Sequence, residues 1–237
     1  MPVSKSFAQR AIIAAALADG VSHLKGYTSC GDNEAALQVA RNLGAEVQQD
    51  GNVLTIRGIA AQSESLVGLR GEDGKSSVDE NGNPVLHVGE SGLLTRMMIP
   101  LMAQMCPKPV TFTGEKTLLG RPLTGAREIV EAFGAKIGNK NVQDDEGSPV
   151  KVPLTVSGLL KPGRAEISGK HGSQLISGLL MALPFADRNS SLIVKDPKSI
   201  PYMFITLEVL KKFGIRIGND MLGGPDFLAS DGDWSLC

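Results

Sequence analysis

Three segments of this chain share one pattern at the end of a helix. Leu43-Gly44-Ala45-Glu46-Val47, Phe133-Gly134-Ala135-Lys136-Ile137 and Phe213-Gly214-Ile215-Arg216-Ile217 run apolar, Gly, small or apolar, charged, apolar, with glycines 90 and then 80 residues apart. A glycine in that setting suits the residue just past a helix, where φ turns positive and an outgoing strand begins. Three polar stretches at similar spacing, Ser4–Ser6, Gly89–Gly92 and His171–Gln174, each open an apolar run. The chain therefore reads as one helix–strand–helix–strand unit with an extra strand, used three times. One copy cannot bury both faces of its helices. Three copies around an axis can, with the more apolar helices inside and the sheets outside. The expected fold is α/β (α+β): a pseudo-threefold, inside-out α/β barrel lobe of three βαβαββ-like repeats, at about 1–60, 85–158 and 163–218. A doubly wound sheet is the alternative, but its Gly-rich phosphate loop after a first strand is absent.

Periodicity and punctuation place the elements. Helices are expected at about Ser6–Ala18, Ala35–Leu43, Gly92–Met105, Leu123–Phe133, Leu175–Leu183 and Met203–Phe213. Strands are expected at Ser22–Tyr27, Ala45–Gln49, Asn52–Ile59, Val110–Thr113, Val152–Val156, Ala165–Ser168 and Ser191–Lys195. Residues 60–84 and 141–149 are polar loops.

The first helix start carries the clearest chemistry. In Val3-Ser4-Lys5-Ser6-Phe7-Ala8-Gln9-Arg10, two hydroxyls and two cations lie within about two turns of a helix N-terminus. Free backbone N–H groups and the helix dipole add to them, so the stretch suits a phosphate or carboxylate. Pseudo-threefold packing would bring the helix starts to one end. That end would collect Lys5, Ser6, Arg10, Glu90, Ser91, Gly92, Ser173 and Gln174, with Ser199 as a further hydroxyl. Such a set makes an anion site rather than an acid–base dyad. No Ser/His/Asp signature, H-E-x-x-H or Walker loop is present.

A net charge of −1 does not suggest a nucleic-acid partner. No apolar run reaches the roughly 18 residues of a membrane span, and no signal-peptide layout is present. The three cysteines and three histidines are dispersed, giving neither a disulfide framework nor metal-ligand spacing. A reduced, cytoplasmic protein without a structural metal is expected. Cys30 and Cys106 read as small core or loop residues, and His171 receives no role.

The motifs together resemble the enolpyruvyl transferases, and within them the branch acting on shikimate 3-phosphate. Pro2–Ala11 is similar to P-G-S-K-S-x-x-N-R-A, and Gly89–Arg96 to G-N-A-G-T-x-x-R. Thr113-Gly114-Glu115 with Gly120-Arg121-Pro122 is similar to T-G-x-x-x-x-x-x-R-P. Gly172-Ser173-Gln174 with Ser177 and Leu179-Leu180-Met181 resembles S-S-Q-x-x-S-x-L-L-M, and Ser199–Tyr202 resembles S-x-P-Y. The resemblance implies transfer of the enolpyruvyl group of phosphoenolpyruvate to the 5-hydroxyl of shikimate 3-phosphate. The reaction it implies is addition and elimination, with no metal or organic cofactor.

It also implies roles. Lys5 would lie between the substrates as the catalytic contact. Ser6 and Arg10 would bind the shikimate ring substituents and carboxylate. Gly172, Ser173 and Ser199 would hold the 3-phosphate, and Tyr202 would pack on the ring. Gly92 and Arg121 would hold phosphoenolpyruvate, and Gln174 would reach both ligands. From the residues alone, Arg121 also reads as a surface cation and Tyr202 as an aromatic over the core. Gly92 and Gly172 also read as turn glycines, and Arg96 as a structural residue.

Four positions depart from the pattern: Val3 for Gly, Glu90 for Asn, Leu93 for Thr and Gly172 for Ser. Glu90 would oppose phosphoenolpyruvate unless Arg121 or Lys116 pairs with it. The resemblance covers one lobe of a two-lobed family, here about 1–225, with 226–237 similar to a crossover toward the second lobe. The second lobe would supply the family's catalytic aspartate and lysine, so the chain is expected to bind substrate weakly and turn over poorly or not at all. The alternatives are a lobe of the sister enzyme acting on UDP-N-acetylglucosamine, and a non-catalytic anion-binding module. The sister enzyme places a cysteine where Lys116 stands.

Overall fold

The computed structural model describes residues 4–59, 69, 77–140 and 148–219, and the backbone of 227–230. Most of the stretches 60–84, 141–149 and 226–237 lies outside these residues. The first unit holds α1 (Lys5–Leu17), β1 (Val21–Lys25), α2 (Gly31–Leu43), β2 (Glu46–Asp50) and β3 (Val53–Arg57). The second holds β4 (Val85–His87), α3 (Gly92–Met105), β5 (Val110–Thr113), α4 (Ala126–Glu131), β6 (Lys136–Asn139) and β7 (Leu154–Ser157). The third holds β8 (Arg164–Ser168), α5 (Gln174–Ala182), β9 (Ser191–Lys195), α6 (Ile200–Lys212), β10 (Gly218–Asn219) and β11 (Phe227–Ser230).

The sheets repeat one topology. Their orders are β1-β3-β2, β4-β5-β7-β6 and β8-β9-β11-β10. In the second and third units the first strand runs parallel to the second, as Val85↔Thr111 and Ile167↔Val194 show. The strand that closes the hairpin then runs antiparallel to the second. The first unit has the same arrangement less its leading strand, so the outer edge of β1 has no partner among the described residues. Among the described residues the three sheets stay separate and do not close into one barrel.

The more apolar helices are inside. Ala8–Leu17 of α1, eleven residues of α3 and all of α5 after Gln174 are buried. They join the inner faces of the sheets, including Leu54, Ile56, Phe112, Leu154, Leu192 and Val194, in one core. α5 lies so close to α3 that a Cβ on Gly178 would sit 2.6 Å from the Met97 carbonyl oxygen and 2.9 Å from Pro100 Cδ.

The repeated glycines end their helices as the pattern requires. Gly44, Gly134 and Gly214 have φ of 105°, 80° and 84°. The Gly44 N–H donates to Arg41 O and that of Ala45 to Ala40 O, and Gly214 and Ile215 repeat the pair on Lys211 and Leu210. Three helix starts differ from the expectation. α2 begins four residues early, at Gly31, which puts the acidic Asp32 and Glu34 inside its first turn. α4 begins only at Ala126, because Gly125 takes φ 81° and the Leu123 N–H is tied to Val150 O. α6 begins three residues early, at Ile200, because Pro201 fits its first turn. Residues 227–230, read as part of a crossover, have a backbone paired with β9 over 227–229 and with β10 over 229–230.

A methyl group on Gly44 meets only Ile59, at 3.7 Å, so the cost of Gly44→Ala is left-handed backbone strain alone. The variant is expected to lose about 1–2 kcal/mol of stability, read as a lower urea midpoint at unchanged slope.

Candidate functional site

The first turns of α1, α3, α5 and α6 wall a cavity of about 440 Å³, lined by Ser6, Arg10, Leu93, Arg96, Arg121, His171, Gly172, Ser173, Gln174, Ser199 and Tyr202. Three of these are arginines, and among the described residues no carboxylate lines the cavity.

Arg10 forms the floor and is 1% exposed. Its Nε donates to Thr206 Oγ1 at 2.7 Å, Nη1 to Ser6 O at 2.7 Å and Nη2 to Ser177 Oγ at 3.0 Å. Ser177 and Thr206 are also hydrogen-bonded to each other at 2.8 Å. Every partner is neutral, so burial pushes the Arg10 guanidinium down to about 10.

Arg96 ties two turns together. Its Nη1 donates to Gly92 O and Nη2 to Pro122 O, both at 3.0 Å, which fixes the Arg121-Pro122 turn against the start of α3. Burial lowers its pKa, and the neighbouring Arg121 adds to the shift. A Cβ on Gly92 would stand 3.0 Å from Arg96 Nη1 and 3.9 Å from Arg121 Nη1, so the bare glycine lets both cations approach the helix start. Ser91 caps that start by accepting from Leu94 N, and its hydroxyl donates to buried Gln9 of α1 at 2.8 Å.

On the third unit, Ser173 is buried at the start of α5. Ser199 precedes α6 with φ 59°, a strained setting for a serine. Tyr202 is 44% exposed, so its ring faces the cavity mouth rather than covering core.

Lys5 does not line this cavity. It stands 3.8 Å from Asp32 in a neighbouring groove of about 740 Å³. Arg121 borders both spaces. That groove holds Glu90, whose carboxylate accepts from Lys116 Nζ at 2.9 Å and Thr117 Oγ1 at 3.3 Å. The ammonium lowers the Glu90 pKa. Of the two pairings that would neutralise Glu90, the structure forms the one with Lys116.

Of the residues singled out in the sequence, the structure brings Ser6, Arg10, Arg121, Gly172, Ser173, Gln174, Ser199 and Tyr202 to one cavity and places Lys5 and Glu90 in the adjoining groove. Reading the sequence did not find Thr206 or the place of His171. A lone hydroxyl in the apolar run Met203–Leu207 was the available signal for Thr206.

The chain matches the profile of EPSP synthase (3-phosphoshikimate 1-carboxyvinyltransferase) over residues 1–223. It belongs to the EPSP synthase family. Among curated family members, the 3-phosphoshikimate 1-carboxyvinyltransferase of Clostridium novyi is 34% identical over 221 residues, 93% of this chain and 47% of the relative. That of Methanococcus vannielii is 30% identical over 217 residues, 91% of this chain and 45% of the relative. The chain therefore spans about half the length of the curated relatives it matches. A solved EPSP synthase from Acinetobacter baumannii shares the fold, with a TM-score of 0.73 at 23% identity over 98% of this chain and 46% of that one.

Two outcomes test the site. Lys116→Ala leaves the Glu90 carboxylate unpaired beside Arg121 and is expected to weaken anion binding about two- to fivefold, since exposed pairs contribute little. Adding Glu90→Gln restores the affinity in calorimetry. Ser199→Gly relieves the left-handed strain but removes a hydroxyl, so melting temperature rises while phosphate affinity falls.

Proposed function

We propose that this chain is the shikimate 3-phosphate-binding half of an enzyme that transfers the enolpyruvyl group of phosphoenolpyruvate to the 5-hydroxyl of shikimate 3-phosphate. The carrying observation is the carboxylate-free cavity with Arg10, Arg96 and Arg121, on a chain of the EPSP synthase family. In this reading Ser173, Ser199 and the Gly172 backbone hold the 3-phosphate. Ser6 and Arg10 take the ring carboxylate and hydroxyls, and Tyr202 packs on the ring. Arg121, which borders both spaces, clamps phosphoenolpyruvate beside Gly92 and Gln174, as a guanidinium fork suits an anion. Lys5 reaches the ligands from the adjoining groove. The ring hydroxyl gives up its proton as its oxygen adds to the phosphate-bearing carbon of phosphoenolpyruvate, while the methylene carbon takes up a proton. Phosphate then leaves the same carbon, and the new methyl group loses a proton to restore the alkene. The groups that move the protons belong to a second lobe, which is also the chain's partner. No metal, organic cofactor or nucleic acid takes part, and the reaction is cytoplasmic. No described helix is long and apolar enough to cross a membrane.

Calorimetric titration of shikimate 3-phosphate is expected to show weak binding that Lys5→Ala and Ser173→Ala each reduce, with no turnover when phosphoenolpyruvate is added. No binding at millimolar ligand would remove the substrate assignment, and turnover by this chain alone would remove the half-site assignment.

A further inference from the structure

His171 lines the arginine cavity but holds no place in the reading above. It precedes Gly172, which offers no side-chain donor, and Ser173, the residue before α5. Its position is set from the second unit: a Cβ on Gly125 would lie 3.0 Å from His171 Cδ2 and 3.4 Å from its Cγ and Cβ. The imidazole thus rests on the bare Cα of the turn before α4, at the seam between two units. Among the described residues its ring nitrogens make no hydrogen bond, which leaves them open to a ligand.

The charges around it favour one response. Arg10, Arg96 and Arg121 share its cavity, with the Tyr202 phenol. Lys170 adjoins it, and Lys198 lies in the loop whose N–H donates to Gly169 O. On α4, Arg127 pairs with Glu131, and Glu128 accepts from the Ser168 N–H. None of Glu128, Glu131 and Asp196 lines the cavity. A proton on His171 therefore adds a further cation to a cationic site. An anion bound beside the imidazole offsets that positive charge and so favours the proton.

We propose that His171 is a proton-dependent ligand of the anion in this cavity, so that binding takes up a proton and tightens as pH falls between 8 and 5.5. The inference rests on the anion-site reading of the cavity. An imidazole is the side chain whose charge changes in that interval. Linkage is reciprocal: an anion that raises the His171 titration midpoint by about one unit binds about tenfold more tightly to the protonated form.

Sulfate is the probe, because its own charge does not change in this interval. Calorimetry at constant ionic strength is expected to give about tenfold tighter sulfate binding at pH 5.5 than at pH 8. His171→Gln should flatten that ratio below about twofold, while His87→Gln, in the adjoining groove, leaves it intact. In the unmutated chain, the NMR titration midpoint of the His171 ring should rise when sulfate is added. A pH-flat affinity with an unmoved His171 midpoint overturns the inference and leaves the anion site standing. No sulfate or shikimate 3-phosphate binding at either pH removes the site itself.

Discussion

A guanidinium with no counter-ion among the described residues ties the first unit of this molecule to the third. Arg10 comes from the first unit and bonds Ser177 and Thr206 of the third, so the threefold arrangement closes through one buried cation. Neutral oxygens satisfy its geometry but not its charge. Their own bonds point back along α5 and α6, from Ser177 to Ser173 O and from Thr206 to Tyr202 O. The cation that joins the helices thereby fixes the carbonyls of Ser6, Ser173 and Tyr202, all three of which line the cavity. The group that closes the fold is also the group to which the proposed reading assigns the ring carboxylate, so packing and the proposed binding share one cation.

The two spaces at this end differ in their electrostatics. The arginine cavity contains no carboxylate among the described residues, whereas the adjoining groove mixes Lys5, Arg41, Lys116 and Arg121 with Asp32, Glu34, Glu90 and Glu115. The net charge of −1 conceals this separation. No described carboxylate in the cavity offsets its arginines, which is the feature the proposed anion site draws on. In the groove, every ligand must compete with existing pairs such as Lys5–Asp32 and Glu90–Lys116.

What could be read from the sequence was what local chemistry determines. The glycines at 44, 134 and 214 announced their helix ends because only one backbone conformation suits that place, and the repeat followed from them. The polar helix starts pointed to one end of the molecule because the repeat places them alike, although a hydroxyl at a helix start also serves as an ordinary cap, as Ser91 does. What could not be read depended on partners far along the chain. Thr206 lies 196 residues from Arg10, and its hydroxyl inside an apolar helix looked like filler. Lys5 and Ser6 are adjacent, yet helical rotation sends them to different spaces. His171 acquires its position from Gly125, which no motif connects to it. The start of α4 was misjudged because the Leu123–Val150 bond that delays it is not local.

The open edge of β1 gives the molecule a gradient of local stability. The leading strands β4 and β8 shield the corresponding edges of the other two sheets. The outer row of backbone groups of Val21–Lys25 is unpaired among the described residues, and Ser22, His23 and Lys25 suit such an edge. Amide protons along this edge exchange through small openings, whereas those of α3 and α5, buried against each other, exchange only when the whole structure opens. The first unit is therefore the compliant third of the molecule, and it is also the third that carries Lys5.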